Sequence, residues 1–334
     1  MSAQKNQIIA VPTNIITGFL GVGKTSAILH LMKHKPDSER WAVLVNEFGE
    51  IGVDGSLFEG QHGKEKGVFI REVPGGCMCC AAGLPMQIAL NQLLSEARPD
   101  RLLVEPTGLG HPKEVLQVLS SENYRKALTL NKTVTLVDAR KLSDSRYTEH
   151  ETFNQQIAIA DVVVGNKLDL YQEEDKSKLL DYVGKHGKIG TEVHFTQHGE
   201  MSLSHLFGEM TAEVYASHHH HHHGEQKPLA SEQALPECGF LAATNEGEGF
   251  ESVGWRFAPD MIFDRQKLCR LLTNISAERI KAVFITSDGV FGYNQTEDGL
   301  MEMELNDTAE SRIEMIATSV DTGLESEILA CLDA

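Results

Sequence analysis

The chain has 334 residues, with 30 Lys+Arg against 48 Asp+Glu and a formal charge of −18. That length suggests two domains, and a hydrophobic content of 41% excludes a disordered chain. The acidic balance argues against nucleic acid or an anionic membrane as partner. No apolar run approaches the ~20 residues of a membrane helix, and no secretory signal opens the chain. A cytoplasmic location is the expectation.

The first two-thirds alternates short, β-branched runs with longer helical patterns. Strands are expected at Thr13–Thr17, Trp41–Val45, Val68–Glu72, Arg101–Glu105, Thr133–Asp138, Asp161–Gly165 and Glu192–Thr196. Several are continuously apolar, as in strands buried on both faces of a parallel sheet. Helices are expected at Lys24–Lys33, Leu84–Ala97 and Pro112–Leu119. The alternation reads as an α/β domain with a doubly wound, mostly parallel sheet.

Periodicity stops near residue 214. Residues 214–237 read as an exposed linker, rich in His, Gly, Glu, Gln and Pro and carrying the unbroken run His218, His219, His220, His221, His222 and His223. Beyond it, strands are expected at Glu251–Phe257, Ala282–Thr286, Val290–Tyr293 and near Arg312–Thr318. Helices are expected across Asp264–Leu272 and from Glu325. The expected organisation is a first domain over 8–213, the linker over 214–237 and a small α+β domain over 238–334.

Gly18-Phe-Leu-Gly21-Val22-Gly23-Lys24-Thr25-Ser26 fits the phosphate-loop pattern, after a strand and opening a helix. Glycines let backbone N–H groups curl around a β-phosphate, and the helix start adds its positive dipole end. Lys24 is placed to bridge the β- and γ-phosphates, and the Thr25 hydroxyl to ligate Mg²⁺. Asn166-Lys167-Leu168-Asp169 follows a strand. A carboxylate at Asp169 can accept two N–H bonds from guanine, which adenine cannot offer, so GTP is the expected nucleotide. Glu105-Pro-Thr-Gly108 ends another strand, where GTP-binding proteins keep an Asp-x-x-Gly element. The same job is expected of the longer acid and of Gly108.

Three of the six cysteines, Cys77, Cys79 and Cys80, fall within four positions. Thiolates favour Zn²⁺, Cu(I) or Fe–S over hard cations. Three sulfurs leave a tetrahedral zinc site incomplete, which suits carriage and hand-over better than structural support. A redox pair or buried cysteines are the metal-free alternatives. Cys238, Cys269 and Cys331 read as small apolar residues.

The phosphate loop, Asn46-Glu47-Phe48-Gly49-Glu50, Gly76-Cys77-Met-Cys79-Cys80, Glu105-Pro-Thr-Gly108 and Asn166-Lys167-Leu-Asp169 occur in an order that resembles the CobW family of metal-handling P-loop GTPases. The likeness is greatest to its YeiR-like zinc-binding branch, where Gly108-Leu-Gly-His111-Pro112 recurs. It extends over nearly the whole chain. It implies a SIMIBI-type P-loop domain with a small CobW C-terminal domain, and weak GTP hydrolysis modulated by zinc. It also implies a metallochaperone role toward a zinc-requiring client protein. It carries zinc ligation to Cys77, Cys79 and Cys80, with Glu50 as a candidate extra metal ligand; the fourth zinc ligand is left to another residue, water or a partner. Some relatives have an acidic ligand where this chain has Val45, so a metal site built on that position is in doubt.

Asn46–Gly55 lies where GTPases keep a first switch loop, shortly before the cysteines, so nucleotide state is expected to alter metal affinity and the reverse. Glu47 and Glu105 are candidates for orienting Mg²⁺ or the attacking water. The histidine run reads as a flexible secondary zinc site, with an inert linker as alternative. His111 reads as a loop or helix-start residue; His194 and His198 have no assigned role. Two other functions stay open: a zinc buffer or sensor reset by slow hydrolysis, and cobalt or nickel insertion. The oligomeric state, including a homo-oligomer, also stays open.

Overall fold

The structure, a computed structural model, describes residues 8–46, 67–73, 84–110, 112–211, 234–247, 250–319 and 323–333. Contacts within the chain divide it into two compact units, one built from described residues up to 211 and one from 234 onward.

The first unit is a parallel sheet of β1 Val11–Gly18, β2 Trp41–Asn46, β3 Val68–Val73, β4 Arg101–Glu105, β5 Leu128–Leu130, β6 Val134–Val137, β7 Val162–Gly165 and β8 Glu192–Phe195. The order across it is β3-β2-β4-β1-β6-β7-β8, with β5 also paired to β1. Every described pairing in this sheet is parallel. β4, β6 and β7 are buried along their whole length, which accounts for their unbroken apolar sequence.

The helices of this unit are α1 Lys24–His34, α2 Leu84–Ala97, α3 Pro112–Leu119, α4 Ser145–Thr148, α5 Glu151–Ala158 and α6 Asp175–His186. One core joins Met86, Leu90, Leu93 and Leu94 of α2 and Val115, Leu116 and Leu119 of α3 to Ile15, Leu44, Leu102 and Val104 of the sheet. Ile28 and Leu31 of α1 are likewise fully buried. β1 lies between β4 and β6, where the chain reverses its direction of travel across the sheet. In such sheets, ligands bind outside the carboxyl ends of the strands at this reversal. The loops after β1, β4, β6, β7 and β8 all leave from that edge, because the strands are parallel.

The second unit is an antiparallel sheet of β9 Phe240–Gly247, β10 Phe250–Phe257, β11 Arg279–Thr286, β12 Gly289–Thr296, β13 Gly299–Leu305 and β14 Ser311–Ala317, in the order β13-β12-β11-β14-β10-β9. Two helices, α7 Arg265–Asn274 and α8 Leu324–Leu329, share its core. Leu268 and Leu272 of α7 and Leu324 and Ile328 of α8 pack with Trp255, Phe257, Phe284, Tyr293 and Ile313.

The expected strands and helices are all present where the residues are described; about half are extended by one to four residues, while those expected at Thr133–Asp138, Asp161–Gly165 and Glu192–Thr196 are one or two residues shorter. Three strands and three helices were not anticipated: β5, β9, β13, α4, α5 and α6. β5 has only three residues. β13 alternates Met and Glu, so its apolar signal is weak. The reading of Cys238 as a small apolar residue is corrected, because it is exposed; Cys269 is half-buried and Cys331 buried.

Inside the second unit, the Glu310 carboxylate accepts from Arg256 Nε at 2.6 Å and Nη2 at 2.9 Å, and from Arg312 Nε at 2.8 Å. Burial pushes its pKa up, but the two guanidiniums outweigh burial and hold it below the usual carboxylate value. A lowered folded pKa stabilises the fold above the ordinary carboxylate range. That contribution is lost as pH falls through the lowered value. Glu310→Gln should therefore flatten the acid limb of the stability curve. Glu310→Ala, which takes the carboxylate away from the buried Arg256, should cost about 3 kcal/mol at neutral pH in denaturant titrations. An unchanged midpoint would show that the cluster contributes nothing net.

Candidate nucleotide site

The loop between β1 and α1 is shaped by backbone that ordinary residues avoid. Gly18 has φ +144° and Gly23 has φ +95°. A Cβ on Gly18 would overlap the Leu136 carbonyl, and one on Gly23 would come within 2.5 Å of Asn166 Nδ2. Both positions demand glycine on conformation and on space. Phe19 anchors the loop from behind. Its ring packs edge-on against Tyr147 and Phe153 at 5.1 and 6.0 Å between centroids.

Lys24 is buried, and its ammonium donates to the carbonyls of Gly18 at 2.8 Å and Phe19 at 3.1 Å. The loop thus curls around the side chain and holds the cation across its mouth. Helix α1 starts with Gly23 in the left-handed region, without a side-chain cap and without an acid in its first turn. α5 and α7, by contrast, are capped by His150 and Asp264. An uncapped start leaves its N–H dipoles to an external anion. Together with the buried ammonium, it fits a polyphosphate.

Thr25 is buried beside Lys24 at the head of α1, and Glu105 is buried at the carboxyl end of β4. A hydroxyl and a carboxylate are hard oxygen donors of the kind Mg²⁺ accepts, so the residues present fit that ion. Gly108 lies close to the phosphate loop: a Cβ there would meet Leu20 N at 2.9 Å. Its carbonyl accepts from Gln156 Nε2 at 2.9 Å, which pins the loop after β4 to α5.

Asn166 is 2% exposed and joins two loops. Its Nδ2 donates to the Val22 carbonyl at 2.9 Å, and its Oδ1 accepts from Gly199 N–H at 3.0 Å. The phosphate loop, the turn after β7 and the loop after β8 are thereby locked together. Lys167 takes φ +64°, and its ammonium lies 3.6 Å from the Asp138 carboxylate. Asp138, buried at the end of β6, also accepts from Arg140 Nη2 at 2.6 Å. Asp169 follows in a short 3-10 turn, Leu168–Leu170, and is exposed. Burial pushes the Tyr171 phenol well above its ordinary pKa. As a neutral hydroxyl it accepts from Ala139 N–H at 3.0 Å, tying this turn to the end of β6.

The structure thus gathers Gly18, Gly21, Val22, Gly23, Lys24, Thr25, Ser26, Glu105, Gly108, Asn166, Lys167 and Asp169 on strand ends, loops and the first turn of α1 at one edge of the sheet. Glu47, Glu50, Cys77, Cys79, Cys80, His111 and His218–His223 lie outside the described residues. His194 stacks on His205, with ring centroids 4.4 Å apart, and its Nε2 is 3.3 Å from Glu192 Oε2. Sequence reasoning did not single out Asp138, Gln156 or Gly199. Only Asp138 left a local signal, as a lone acid closing an apolar strand.

Residues 12–192 match the CobW/HypB/UreG nucleotide-binding domain. The chain belongs to this family. It is 40% identical over 317 residues to the zinc chaperone YeiR of Escherichia coli (strain K12), covering 92% of this chain and 93% of that protein. It is 29% identical over 222 residues to the zinc chaperone CobW of a Sinorhizobium species, covering 59% of this chain and 62% of that one. Among solved structures, the Zn(II)-bound YjiA GTPase from E. coli overlaps 96% of this chain and 98% of its own, at 19% identity and a TM-score of 0.43. The family assignment rests on the sequence matches and not on that overlap. The parallel first unit is the family's P-loop nucleotide-binding fold, joined to an antiparallel C-terminal unit.

If Asn166 is the clamp between loops, Asn166→Ala should strand the Val22 carbonyl and the Gly199 N–H. The expected loss is about 2 kcal/mol of stability without nucleotide. Asn166→Asp keeps the acceptor for Gly199 but opposes a carboxylate to the Val22 carbonyl, and should be no better. Thermal unfolding of both variants equal to wild type would remove the clamp.

Proposed function

We propose that this chain hydrolyses GTP and uses its nucleotide state to carry zinc to a client protein. One observation bears most of the weight: a buried lysine held over the uncapped start of α1, at the reversal point of the sheet. Membership of the CobW/HypB/UreG family and the likeness to zinc chaperones support the metal side of the reading.

In this scheme the phosphate loop and Lys24 bind and orient the β- and γ-phosphates, and their positive charge stabilises the charge that spreads over the transferred phosphoryl group. Thr25 and Glu105 are the residues that would hold Mg²⁺, which would supply positive charge beside the phosphates. Gly108, braced by Gln156, lies where its backbone can respond to the γ-phosphate. Asp169 accepts two N–H bonds from the guanine edge, and the strained Lys167 backbone aims that turn. Glu47 is the candidate for orienting the attacking water. The cargo is Zn²⁺, bound as substrate by Cys77, Cys79 and Cys80, with Glu50 as a candidate further donor and the His218–His223 run as a secondary store. A zinc-requiring client in the cytoplasm receives it. Among the described residues no helix is long and apolar enough to cross a membrane.

Two measurements separate this reading from its rivals. Asp169→Asn exchanges an acceptor for a donor, so guanine affinity should fall roughly 100-fold while xanthosine triphosphate, which offers an oxygen there, should gain. Unaltered base preference would take the guanine contact away from Asp169. GTP turnover should change when zinc is added or chelated, and that response should vanish in Cys77/Cys79/Cys80→Ser. A response that survives would move the metal off those cysteines.

A further inference from the structure

α1 begins at the phosphate loop and ends, three turns later, in two histidines that the proposed reaction does not use. His30 and His34 are one turn apart, so they share a helix face. Their rings are stacked, with centroids 4.1 Å apart and planes 30° from parallel. His34 Nδ1 lies 2.8 Å from the His30 carbonyl. A carbonyl can only accept, so that nitrogen carries the proton, and in the neutral ring the lone pair is on Nε2. This is the arrangement by which a backbone carbonyl fixes the tautomer and ring orientation of a metal-binding imidazole.

The charges around the pair are mixed. The Glu200 carboxylate, on the loop after β8, acts on His30 in favour of positive charge, while Lys33 acts against it. That loop packs directly on α1, since a Cβ on Gly199 would meet Ala27 N at 2.7 Å. Lys35 is turned aside, its ammonium donating to the carbonyls of Pro36 and Glu39. Carbonyl dipoles at the end of α1 add a negative potential that favours a cation. Burial, and then His34, lower the His30 pKa, which favours the neutral imidazole that ligation needs.

We propose that His30 and His34 form a chelating site for a divalent transition ion, Zn²⁺ being the one tested, with Glu200 contributing charge beside it. Imidazole nitrogens suit zinc, copper and nickel and disfavour Mg²⁺. The site shares no residue with the cysteine motif or the histidine run, and it stands whether or not the proposed GTPase reaction does.

The test must resolve single residues, because the full chain has other candidate zinc ligands. The intact protein is treated with diethyl pyrocarbonate across a zinc chloride titration, and modification is mapped by peptide mass spectrometry. Zinc should protect His30 and His34 together, at the same midpoint. In His30→Ala, the midpoint for His34 should move to roughly 100-fold higher zinc, because the chelate is gone. In His34→Ala, His30 should lose protection likewise, so either variant suffices if the other fails to fold. Glu200→Gln should shift the joint midpoint a few-fold upward. The proposal is overturned if neither residue is protected by about 1 mM zinc. It is equally overturned if His34 is protected at the same midpoint with and without His30.

Discussion

The side-chain amide of Asn166 fixes the distance between the loop that surrounds Lys24 and the turn that carries Asp169. One face of the amide donates to Val22 and the other accepts from Gly199. Because the amide is buried, neither bond can be exchanged for water, and loosening either leaves a polar group unsatisfied in a dry environment. The glycine at 23 is part of the same constraint, since a side chain there would occupy the space of the amide. Loops at the end of a parallel sheet are otherwise its most mobile parts. Here Asn166 ties three of them to one another.

The sheet supplies the second half of that constraint. Parallel pairing sets where each strand delivers its residue: Asp138 and Asn166 follow the paired Val137 and Gly165, Gly18 pairs with Leu136 two residues earlier, and Glu105 follows Val104, the partner of Ile15. No single loop contains a complete site. The phosphate loop brings a cation and an uncapped helix start, the end of β4 an acid, and the turn after β7 a second acid. Parallel pairing brings these together with no direct contact needed among the functional side chains.

Much of this was legible in the sequence. Unbroken apolar runs such as Val162–Gly165 gave the buried strands, and the glycine spacing of residues 18–23 gave the phosphate loop. The motif residues, however, were read as ligand contacts alone. That Asn166 spends both ends of its amide on backbone is invisible to a linear reading, because Val22 and Gly199 lie 144 and 33 residues away. Gln156 was missed for the same reason: its partner, the Gly108 carbonyl, is 48 residues distant. α5 and α6 escaped notice because they are polar over much of their length, and only Phe153, Ile157, Leu179 and Val183 mark their buried sides. The exposure of Cys238 was likewise set by its place just before β9 and not by its residue type.

Lys167 shows what such an arrangement demands of a single position. A lysine in the left-handed region carries a strain of roughly 1 kcal/mol, and its pairing with Asp138 helps offset it. Glycine would relax the backbone but give up the charge; asparagine would tolerate the backbone but could not span to Asp138. Neither easier residue reproduces both properties, so the local optimum and the functional one differ. The turn behaves as a latch under light tension, and substitutions elsewhere that weaken the Asp138–Arg140 anchor would release it without touching the motif itself.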